Sequence, residues 1–545
     1  MLRGASLLRG APRRREHTIP ALLWLVAIAI MAAMLIPVVY LLVVTTTLGT
    51  DGVRNVLTDP LTWRLIGRTI NLGVTVTLAS ILLSVPVAWI TTRSDIPARR
   101  FFAIATALPL VIPTYVGAFA LVAAFARGGL AENWFGITGV NPYGYIGASL
   151  VLTVFSFPYL LLTLQAALRG MEPAQEEASR LLGYGHWQTF LRVTVPQLRL
   201  PVAAGSLLVS LYVFSDFGAV SILRYQTLTR GLYLQYTASF DRASAAMLGL
   251  LLVSLTVIVI AGEARLTKRY AQQVGGRAAH RSLPVVPLGR WRMAALALVT
   301  LVVFVGVVTP IVVVVYWLAR GVAAGQPVYL PFGPAFRSIQ VATLAAVATV
   351  AAALPVAILA ARSKGALAQW VARLSYTGYA LPGVVVALAL VFVGIRVVPS
   401  LYQTLTMLVF AYVILFLPQA IAAIRSPLLQ QPADLEAASR TLGRKRLTTF
   451  AKITVPLARR GALAGGALVF LTTLKELPAT LLLSPTGFDT LATRIWSEPA
   501  ERFLARAASS ALFLIVIGSI PLAVLMIRDR RETLDSQKAS TDPST

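Results

Sequence analysis

The stretch EEASRLLGYGHWQTFLRVTVP, residues 176–196, decides the fold of this chain because it occurs a second time. The second copy, EAASRTLGRKRLTTFAKITVP, covers residues 436–456, and 436 − 176 gives an offset of 260 residues. Nearly half of the aligned positions between 176–205 and 436–465 are identical. The chain is therefore a tandem repeat, and we expect this repeated loop to perform its function twice.

The composition indicates a membrane protein. Hydrophobic residues make up 57% of the 545 residues and charged residues only 13%, well below the share in soluble domains. The run from Ile19 to Val44 has no charged residue and exceeds the roughly 20 residues that cross a bilayer core. Arg13, Arg14 and Arg15 precede it, and no small-residue cleavage site follows it. We predict an uncleaved first transmembrane span.

The net charge of +27 could indicate a nucleic-acid partner, but the cations lie in loops between apolar runs. That distribution is typical of charges that set membrane topology, so we expect contact with membrane lipid and no nucleic acid. The chain has no cysteine, and its three histidines (His17, His186 and His280) are far apart in sequence. A thiolate metal site is thereby excluded, a histidine centre is disfavoured, and no metal ligand is assigned.

The apolar runs predict an all-α polytopic membrane protein of about twelve transmembrane helices. With the N-terminus inside, most of the 48 Lys and Arg fall on the cytoplasmic side, so both termini are expected there. The predicted spans are 20–48, 66–92, 102–126, 145–168, 202–222, 244–262, 292–318, 338–361, 374–396, 403–424, 461–482 and 507–527.

The repeat extends beyond the loop and predicts two parallel halves of six spans each. Arg68, Pro86 and Arg93-Ser94 match Arg337, Pro355 and Arg362-Ser363 at an offset of 337 − 68 = 269, Leu108-Pro109 matches Leu381-Pro382, and Pro158 matches Pro418. Halves inserted in the same orientation predict a pseudo-two-fold axis along the membrane normal. The expected segments are a basic cytoplasmic N-terminus (1–19), the first half (20–262), a cytoplasmic linker (263–291), the second half (292–527) and a cytoplasmic tail (528–545).

Each repeated loop has the pattern of two short helices joined by a glycine turn. In the first copy Ala178, Leu181 and Leu182 form one apolar stripe, and Gly183 permits the left-handed backbone of a tight turn. Trp187 lies in the helix that follows. Exposed apolar residues on such a unit favour docking into a groove of a partner protein.

An amphipathic helix that lies on anionic lipid is the alternative for this loop. Arg444, Lys445 and Arg446 of the second copy favour that interpretation. Two copies at the same point of two halves favour the docking of two equivalent partner subunits.

The repeated loop resembles the EAA motif of the permease subunits of bacterial ABC importers. The motif positions are Glu176, Glu177, Ala178 and Gly183 in the first copy and Glu436, Ala437, Ala438 and Gly443 in the second. The second copy matches outright, whereas the first departs at Glu177. The resemblance covers nearly the whole chain, since both six-span halves fit the permease pattern. It implies an ATPase-coupling helix in each loop, two ATP-binding-cassette ATPase subunits and a periplasmic solute-binding protein as partners, and the bacterial inner membrane as location.

The sequence carries no phosphate-binding loop of the type GxxxxGK[ST] and no cluster of catalytic side chains. We therefore expect no enzyme activity and no cofactor bound by this chain. ATP is expected to be hydrolysed by the partner subunits.

Two carboxylates occupy matching places inside predicted spans: Asp216 in the fifth and Glu476 in the eleventh, with 476 − 216 = 260. An ionisable group inside a span usually faces a cavity or a partner, so both are candidates for the translocation path. Alternatively, they hydrogen-bond a helix break, because Gly218 and Pro478 follow two residues later. Lys475 is a candidate counter-charge for Glu476.

The stretch KELPATLLLSPTGFDTLATRIW, residues 475–496, resembles fused permeases of the ferric-iron importer group. Importers of thiamine or phosphonate have a similar architecture and stay open as alternatives. An ion-coupled secondary transporter of six plus six spans is the rival from another class. That rival accounts for the two halves and the carboxylates, but not for two equivalent docking loops.

Overall fold

The structure is a computed structural model that describes residues 21–171, 173–239, 241–271, 285–363, 370–371, 374, 378, 380–430, 434–499 and 503–521. Within these ranges the chain is helical apart from connecting loops and one isolated bridge between Ser94 and Val286, which confirms the all-α class. The predicted terminal segments, 1–19 and 528–545, lie outside the described residues, as does the centre of the predicted linker, 272–284.

The first half contains four long helices and several short ones. The helices are α1 (Ala21–Thr46), α2 (Gly49–Thr58), α3 (Pro60–Arg93), α4 (Arg99–Ala105), α5 (Thr114–Ala124), α6 (Leu130–Phe135), α7 (Tyr145–Arg169), α8 (Pro173–Leu181), α9 (His186–Thr189), α10 (Val195–Gln197), α11 (Arg199–Ser215), α12 (Gly218–Ile222), α13 (Leu228–Thr237) and α14 (Arg242–Ala271). A 3₁₀ turn at Leu108–Val111 and a π-helical turn at Phe190–Thr194 lie between them.

The second half repeats much of this order. Its helices are α15 (Arg292–Val303), α16 (Thr309–Ala323), α17 (Phe332–Arg362), α18 (Gly383–Arg396), α19 (Leu405–Gln430), α20 (Asp434–Thr441), α21 (Arg446–Thr449), α22 (Val455–Leu474), α23 (Pro478–Leu483), α24 (Leu491–Ser497) and α25 (Leu504–Pro521). A π-helical turn at Phe450–Thr454 repeats the one at Phe190–Thr194.

Nine helices in the described residues are long and apolar enough to cross a membrane, counting α15 and α16 as one continuous helix from Gly289 to Ala323, or eleven if each of two bent pairs forms one span. One pair, Arg99–Val111 with Thr114–Ala124, bends by 89°; the other, Trp187–Gln197 with Arg199–Ser215, bends by 58°. The span predicted at 374–396 corresponds in part to α18, which has 14 residues. A polytopic membrane protein is thus confirmed, and the count of twelve stays a prediction.

Besides the bent span predicted at 102–126, two further predicted spans are interrupted near their ends. The span predicted at 202–222 is interrupted after Ser215, where α11 ends, and α12 begins at Gly218. The span predicted at 461–482 is interrupted after Leu474, and α23 begins at Pro478. Because each break coincides with one of the candidate carboxylates, it places these residues at helix ends.

Each half is built around three packed helices, α3, α7 and α11 in the first and α17, α19 and α22 in the second. Small residues bring these helices together, as is common where there is no water to drive association. A Cβ on Gly205 of α11 would stand 2.4 Å from the Leu160 side chain, and Gly465 of α22 lies against the backbone of Ala420 in the same way. These pairs occupy matching repeat positions.

The first span of each half packs against the other half. The hydroxyl of Tyr40 in α1 donates to the carbonyl of Phe392 in α18, and the indole N–H of Trp317 in α16 donates to the carbonyl of Ala123 in α5. The two carbonyls are equivalent, since 392 − 123 = 269. The contact is therefore reciprocal, as the predicted pseudo-two-fold relation requires, while the axis itself stays a prediction.

The structure also corrects the repeat alignment near the third span. Helix α5 begins directly after Pro113 and helix α18 directly after Pro382, with closely similar φ and ψ at the two prolines. Since 382 − 113 = 269, the offset seen at the second span continues here. Pro382 therefore matches Pro113 and not Pro109, and Gly383 matches Thr114.

Candidate functional site

The two repeated loops have the same backbone geometry. In the first, α8 ends at Leu181, Gly183 adopts a positive φ of 84°, and α9 begins at His186. In the second, α20 ends at Thr441 and Gly443 adopts a φ of 79°. The left-handed backbone is favourable only for glycine, so each glycine lets the chain reverse between two short helices.

A hydrogen bond between the two helices is repeated in both loops. The hydroxyls of Ser179 and Thr189 are 3.0 Å apart, and those of Ser439 and Thr449 are also 3.0 Å apart. All four residues are buried. The bond fixes the angle between the helices, so each loop is a preformed unit.

Glu176 ties the first loop to the end of a membrane helix. Its Oε2 pairs with the guanidinium of Arg93, the last residue of α3, and its Oε1 accepts a hydrogen bond of 2.9 Å from the hydroxyl of Thr194. The Arg93 and Glu176 side chains are almost fully buried. Glu176 therefore anchors the loop and does not face outward. The Glu436 side chain lies outside the described residues.

Each loop exposes apolar side chains on its surface. Leu181 and Leu182 are 90% and 77% exposed, and Trp187 is 70% exposed. Leu442, which matches Leu182, is 82% exposed. The motif residues Glu177, Ala178 and Ala438 are exposed as well. Apolar side chains displayed on a rigid unit are suited to bury themselves in a partner's groove.

Asp216 caps the helix that follows its break. Its Oδ1 accepts hydrogen bonds from the backbone N–H groups of Ala219 at 3.0 Å and Val220 at 3.3 Å, both in α12. Its Oδ2 accepts from the hydroxyl of Thr114, the first residue of α5. The carboxylate thus satisfies backbone donors that the interrupted helix leaves free.

Glu476 performs the same task in the second half. Its Oε2 accepts hydrogen bonds from the backbone N–H groups of Ala479 at 3.0 Å and Thr480 at 3.2 Å, in α23. The hydroxyl of Thr480 in turn shares a hydrogen bond of 2.6 Å with the hydroxyl of Tyr412. Both carboxylates therefore bond a helix break, as the alternative interpretation of the sequence had it.

The structure also brings the two carboxylates to one cavity between the halves. This cavity, here called the interhalf cavity, has a volume of about 310 Å³ and is lined by Asp216, Lys475 and Glu476. The phenol-bearing residues Tyr115, Tyr159 and Tyr212 also line it. Capping a helix and lining the cavity are compatible roles. Among the described residues no group of three or more His, Cys, Asp or Glu could hold a metal ion.

Lys475 does not neutralise its neighbour. Its Nζ donates a hydrogen bond of 2.8 Å to the backbone carbonyl of Leu110, in the 3₁₀ turn of the first half. Lys475 and Glu476 form no ion pair among those found in the described part of the chain. The suggested counter-charge is therefore wrong, because adjacent side chains at the helix end point in different directions.

Several residues that build these sites were not singled out from the sequence. Ser179, Thr189 and Thr194 recur as Ser439, Thr449 and Thr454, so identity between the two copies was the available signal. Arg93 is repeated as Arg362, but nothing in the sequence places it beside Glu176. Thr114 has no identical partner in the second half, since Gly383 takes its place.

Two interrupted helices that meet at a cavity between two repeated halves are characteristic of a membrane transport protein. Residues 87–272 and 353–532 match the family described as binding-protein-dependent transport system inner membrane component. The two matched segments cover more than half of the chain, one in each half, so the chain belongs to this family of ABC-importer permeases.

Three relatives show how the similarity is distributed. The Fe(3+)-transport system permease protein FbpB 2 of Haemophilus influenzae is 31% identical over 511 residues, 93% of this chain and 98% of that protein. The molybdenum transport system permease protein ModB of Escherichia coli is 29% identical over 37% of this chain and 92% of its own length. The sulfate transport system permease protein CysT of Synechocystis is 25% identical over 44% of this chain and 85% of its own length.

Family membership decides the class of function. The chain is the inner-membrane permease component of an importer that depends on a binding protein, and the family is not itself an enzyme. An ion-coupled secondary transporter, the rival from another class, is thereby excluded. Since the family depends on ATPase and binding-protein subunits, both are partners of this chain.

Proposed function

We propose that this chain forms the translocation pathway for ferric iron delivered by a periplasmic binding protein. The supporting observation is that a permease for Fe(3+) matches both halves in one alignment, over 93% of this chain and 98% of its own length. The molybdenum and sulfate permeases match less than half of this chain. Thiamine, phosphonate or another small solute is the alternative cargo within the same class.

The interhalf cavity is the proposed pathway, with Asp216 and Glu476 on its wall. Carboxylate and phenol oxygens are hard donors that suit a ferric ion. Each carboxylate already accepts two backbone hydrogen bonds, which leaves few free lone pairs for a cation. Carboxylates with few free lone pairs would attract a passing cation through their charge but would not bind it tightly. Lys475 lines the same cavity, but its Nζ is hydrogen-bonded to the carbonyl of Leu110 and does not pair with Glu476.

The two repeated loops are the proposed docking points for two separate ATPase subunits, which would bind and hydrolyse ATP. The exposed Leu182 and Leu442 at matching positions support one docking point in each loop. ATP binding would draw the two ATPases and both loops together and open the cavity to the outer side. The loops and both termini would then be cytoplasmic.

Uptake and subunit counting test this proposal together. Cells that lack the chain and then regain it should recover uptake of radioactive ferric iron, and not of thiamine. Native mass spectrometry of the purified complex should show two ATPases per chain, one for Leu182→Glu or Leu442→Glu, and none for the double variant. Leu401→Glu, at a 38% exposed leucine outside both loops, is the control. If the double variant retained two ATPases, the proposal that the loops dock the ATPases would be refuted. If the cells recovered thiamine uptake, only the proposal of ferric iron as the cargo would be refuted.

Orientation has its own test, because the chain contains no cysteine. A membrane-impermeant maleimide should label Leu401→Cys in intact spheroplasts. It should label Leu182→Cys only after the membrane is opened. The reverse pattern would overturn the orientation.

A further inference from the structure

A second, larger cavity lies beside the first repeated loop. Its volume is about 850 Å³, and we call it the linker cavity. Three parts of the chain enclose it: the end of α3, the first repeated loop, and the segment that runs from the linker into α15. The cavity is separate from the interhalf cavity, since no residue lines both.

The walls of the linker cavity are mostly apolar and aromatic. Trp89 of α3 contacts Phe190 edge to face at 5.8 Å, and Trp187 stacks on Phe190 at 5.7 Å. Trp291 and Leu298 line the cavity from the second half. Two of these walls belong to helices long and apolar enough to cross a membrane, Pro60–Arg93 and Gly289–Ala323, so the cavity lies at the end of two spans.

The linker side of the cavity is fixed by hydrogen bonds. The backbone N–H of Val286 donates to the carbonyl of Arg93 at 2.8 Å, and the N–H of Leu288 donates to Oδ1 of Asp95 at 3.0 Å. These two hydrogen bonds hold the segment 286–288 against the end of α3. The cavity between this segment and the first repeated loop is therefore preformed.

The cavity carries an excess of positive charge at one end. Arg93 and Arg180 both line it, and Glu176 is the carboxylate between them. Arg93 is 3% exposed, and its Nε and Nη1 have no hydrogen-bond acceptor within the described structure. Nη2 of Arg180 is 4.0 Å from Glu176, and its Nε also lacks an acceptor. Buried donors without acceptors are costly, and an anion would satisfy them.

We propose that the linker cavity binds an anionic phospholipid, with its phosphate on Arg93 and Arg180 and its acyl chains along α3 and α15. Phosphate supplies the missing acceptors and balances two guanidinium groups against one carboxylate. The apolar walls at the end of two spans fit acyl chains and do not fit a small soluble anion. The lipid ties the first repeated loop, through Arg93, to the first span of the second half.

Fluorescence quenching by brominated lipid tests this assignment, since Trp89, Trp187 and Trp291 surround the cavity. The full chain in detergent micelles is titrated with brominated phosphatidylglycerol or, separately, with brominated phosphatidylcholine. We expect quenching by phosphatidylglycerol at lipid concentrations where phosphatidylcholine has little effect. Equal quenching by the two lipids would overturn the proposal.

Two variants distinguish the cavity from the rest of the surface. Ala294→Phe fills the cavity and should lose most of the excess quenching, that is, the quenching by phosphatidylglycerol beyond that by phosphatidylcholine. Ala297 is an exposed alanine of the same helix that does not line the cavity, so Ala297→Phe should keep this excess. Arg180→Gln should weaken the preference for the anionic lipid without filling the space. The proposed lipid site would be contradicted if Ala297→Phe also lost the excess quenching. It would equally be contradicted if Ala294→Phe and Arg180→Gln both kept that excess. Displacement by inorganic phosphate at equal potency would assign a soluble anion instead of a lipid.

Discussion

Oε1 of Glu476 lies 2.6 Å from the point that a Cβ atom on Gly383 would occupy. At the matching place in the first half, the side chain of Thr114 fills that position and donates its hydroxyl to Asp216. The second half thus has a carboxylate that is one methylene longer and a partner that has no side chain. The two halves reach the same capped helix break with complementary changes in size.

Gly383→Thr is therefore expected to overpack the second half, at a cost of roughly 1–3 kcal/mol. Adding Glu476→Asp should restore much of the loss, because the pair then reproduces Thr114 and Asp216. The measurement is a double-mutant cycle on the melting temperature of the purified protein. Simple additivity of the two changes would show that these positions do not compensate each other.

Asp216→Asn and Glu476→Gln separate the capping role from the charge. An amide oxygen still accepts from the helix N–H groups, so both variants should fold, whereas Asp216→Leu should lose a cap worth about 1 kcal/mol. If the charges guide a cation, ferric-iron uptake should fall in the double amide variant while ATPase assembly is unchanged. Asp241→Asn is the matched control, since Asp241 caps Ser244 outside the interhalf cavity. Full uptake by the double variant would leave both carboxylates with a structural role only.

Arg93→Met should destabilise the protein by roughly 3–5 kcal/mol, because the buried Glu176 carboxylate then keeps only the more distant Arg180, at 4.0 Å, as a cation. Arg93→Met with Glu176→Leu should recover part of this loss, since the buried carboxylate is then absent and the remaining Arg180 is partly exposed. Thermal melting in detergent gives the comparison. Asp489→Asn breaks the half-exposed pair with Arg494 and should change stability by less than about 1 kcal/mol. A double variant as unstable as the single one would argue against an unpaired buried charge as the cause.

Gly183→Ala tests the turn of the first repeated loop against a close control. A side chain at Gly183 or at Gly185 would meet no atom within 4 Å, but only Gly183 has a positive φ. Gly183→Ala should therefore cost roughly 1–2 kcal/mol through the backbone alone and weaken coupling to the ATPase, whereas Gly185→Ala should not. Asparagine tolerates this backbone better, so Gly183→Asn should be milder. Substrate-stimulated ATP hydrolysis is the readout, and equal effects of the two alanine variants would exclude the backbone explanation.

The sequence predicted those parts of the fold that depend on local pattern. Apolar runs located the helices that cross the membrane, and Gly183 and Gly443 located the two turns. The breaks at Asp216 and Glu476 were one of two alternatives, because Gly218 and Pro478 favour an interruption whereas the apolar pattern continues past both positions. The helices after the breaks begin at Gly218 and Pro478, so each carboxylate together with the residue two positions later is the local mark of the interruption.

Contacts between distant segments were beyond the sequence. The pairing of Arg93 with Glu176 and the hydrogen bond from Lys475 to Leu110 depend on how the helices pack. A repeat offset says that Phe392 and Ala123 are equivalent, but not that each accepts a hydrogen bond from the opposite half. The size exchange between Thr114 and Gly383 becomes visible only when Pro382 is aligned with Pro113, as the helix starts require.

The hydrogen bonds from Tyr40 to Phe392 and from Trp317 to Ala123 have a consequence for assembly. The first span of each half lies against a helix of the other half, so this part of each helix bundle is covered only when both halves are present. We therefore expect two polypeptides, one for each half, to associate through these reciprocal contacts when they are made separately.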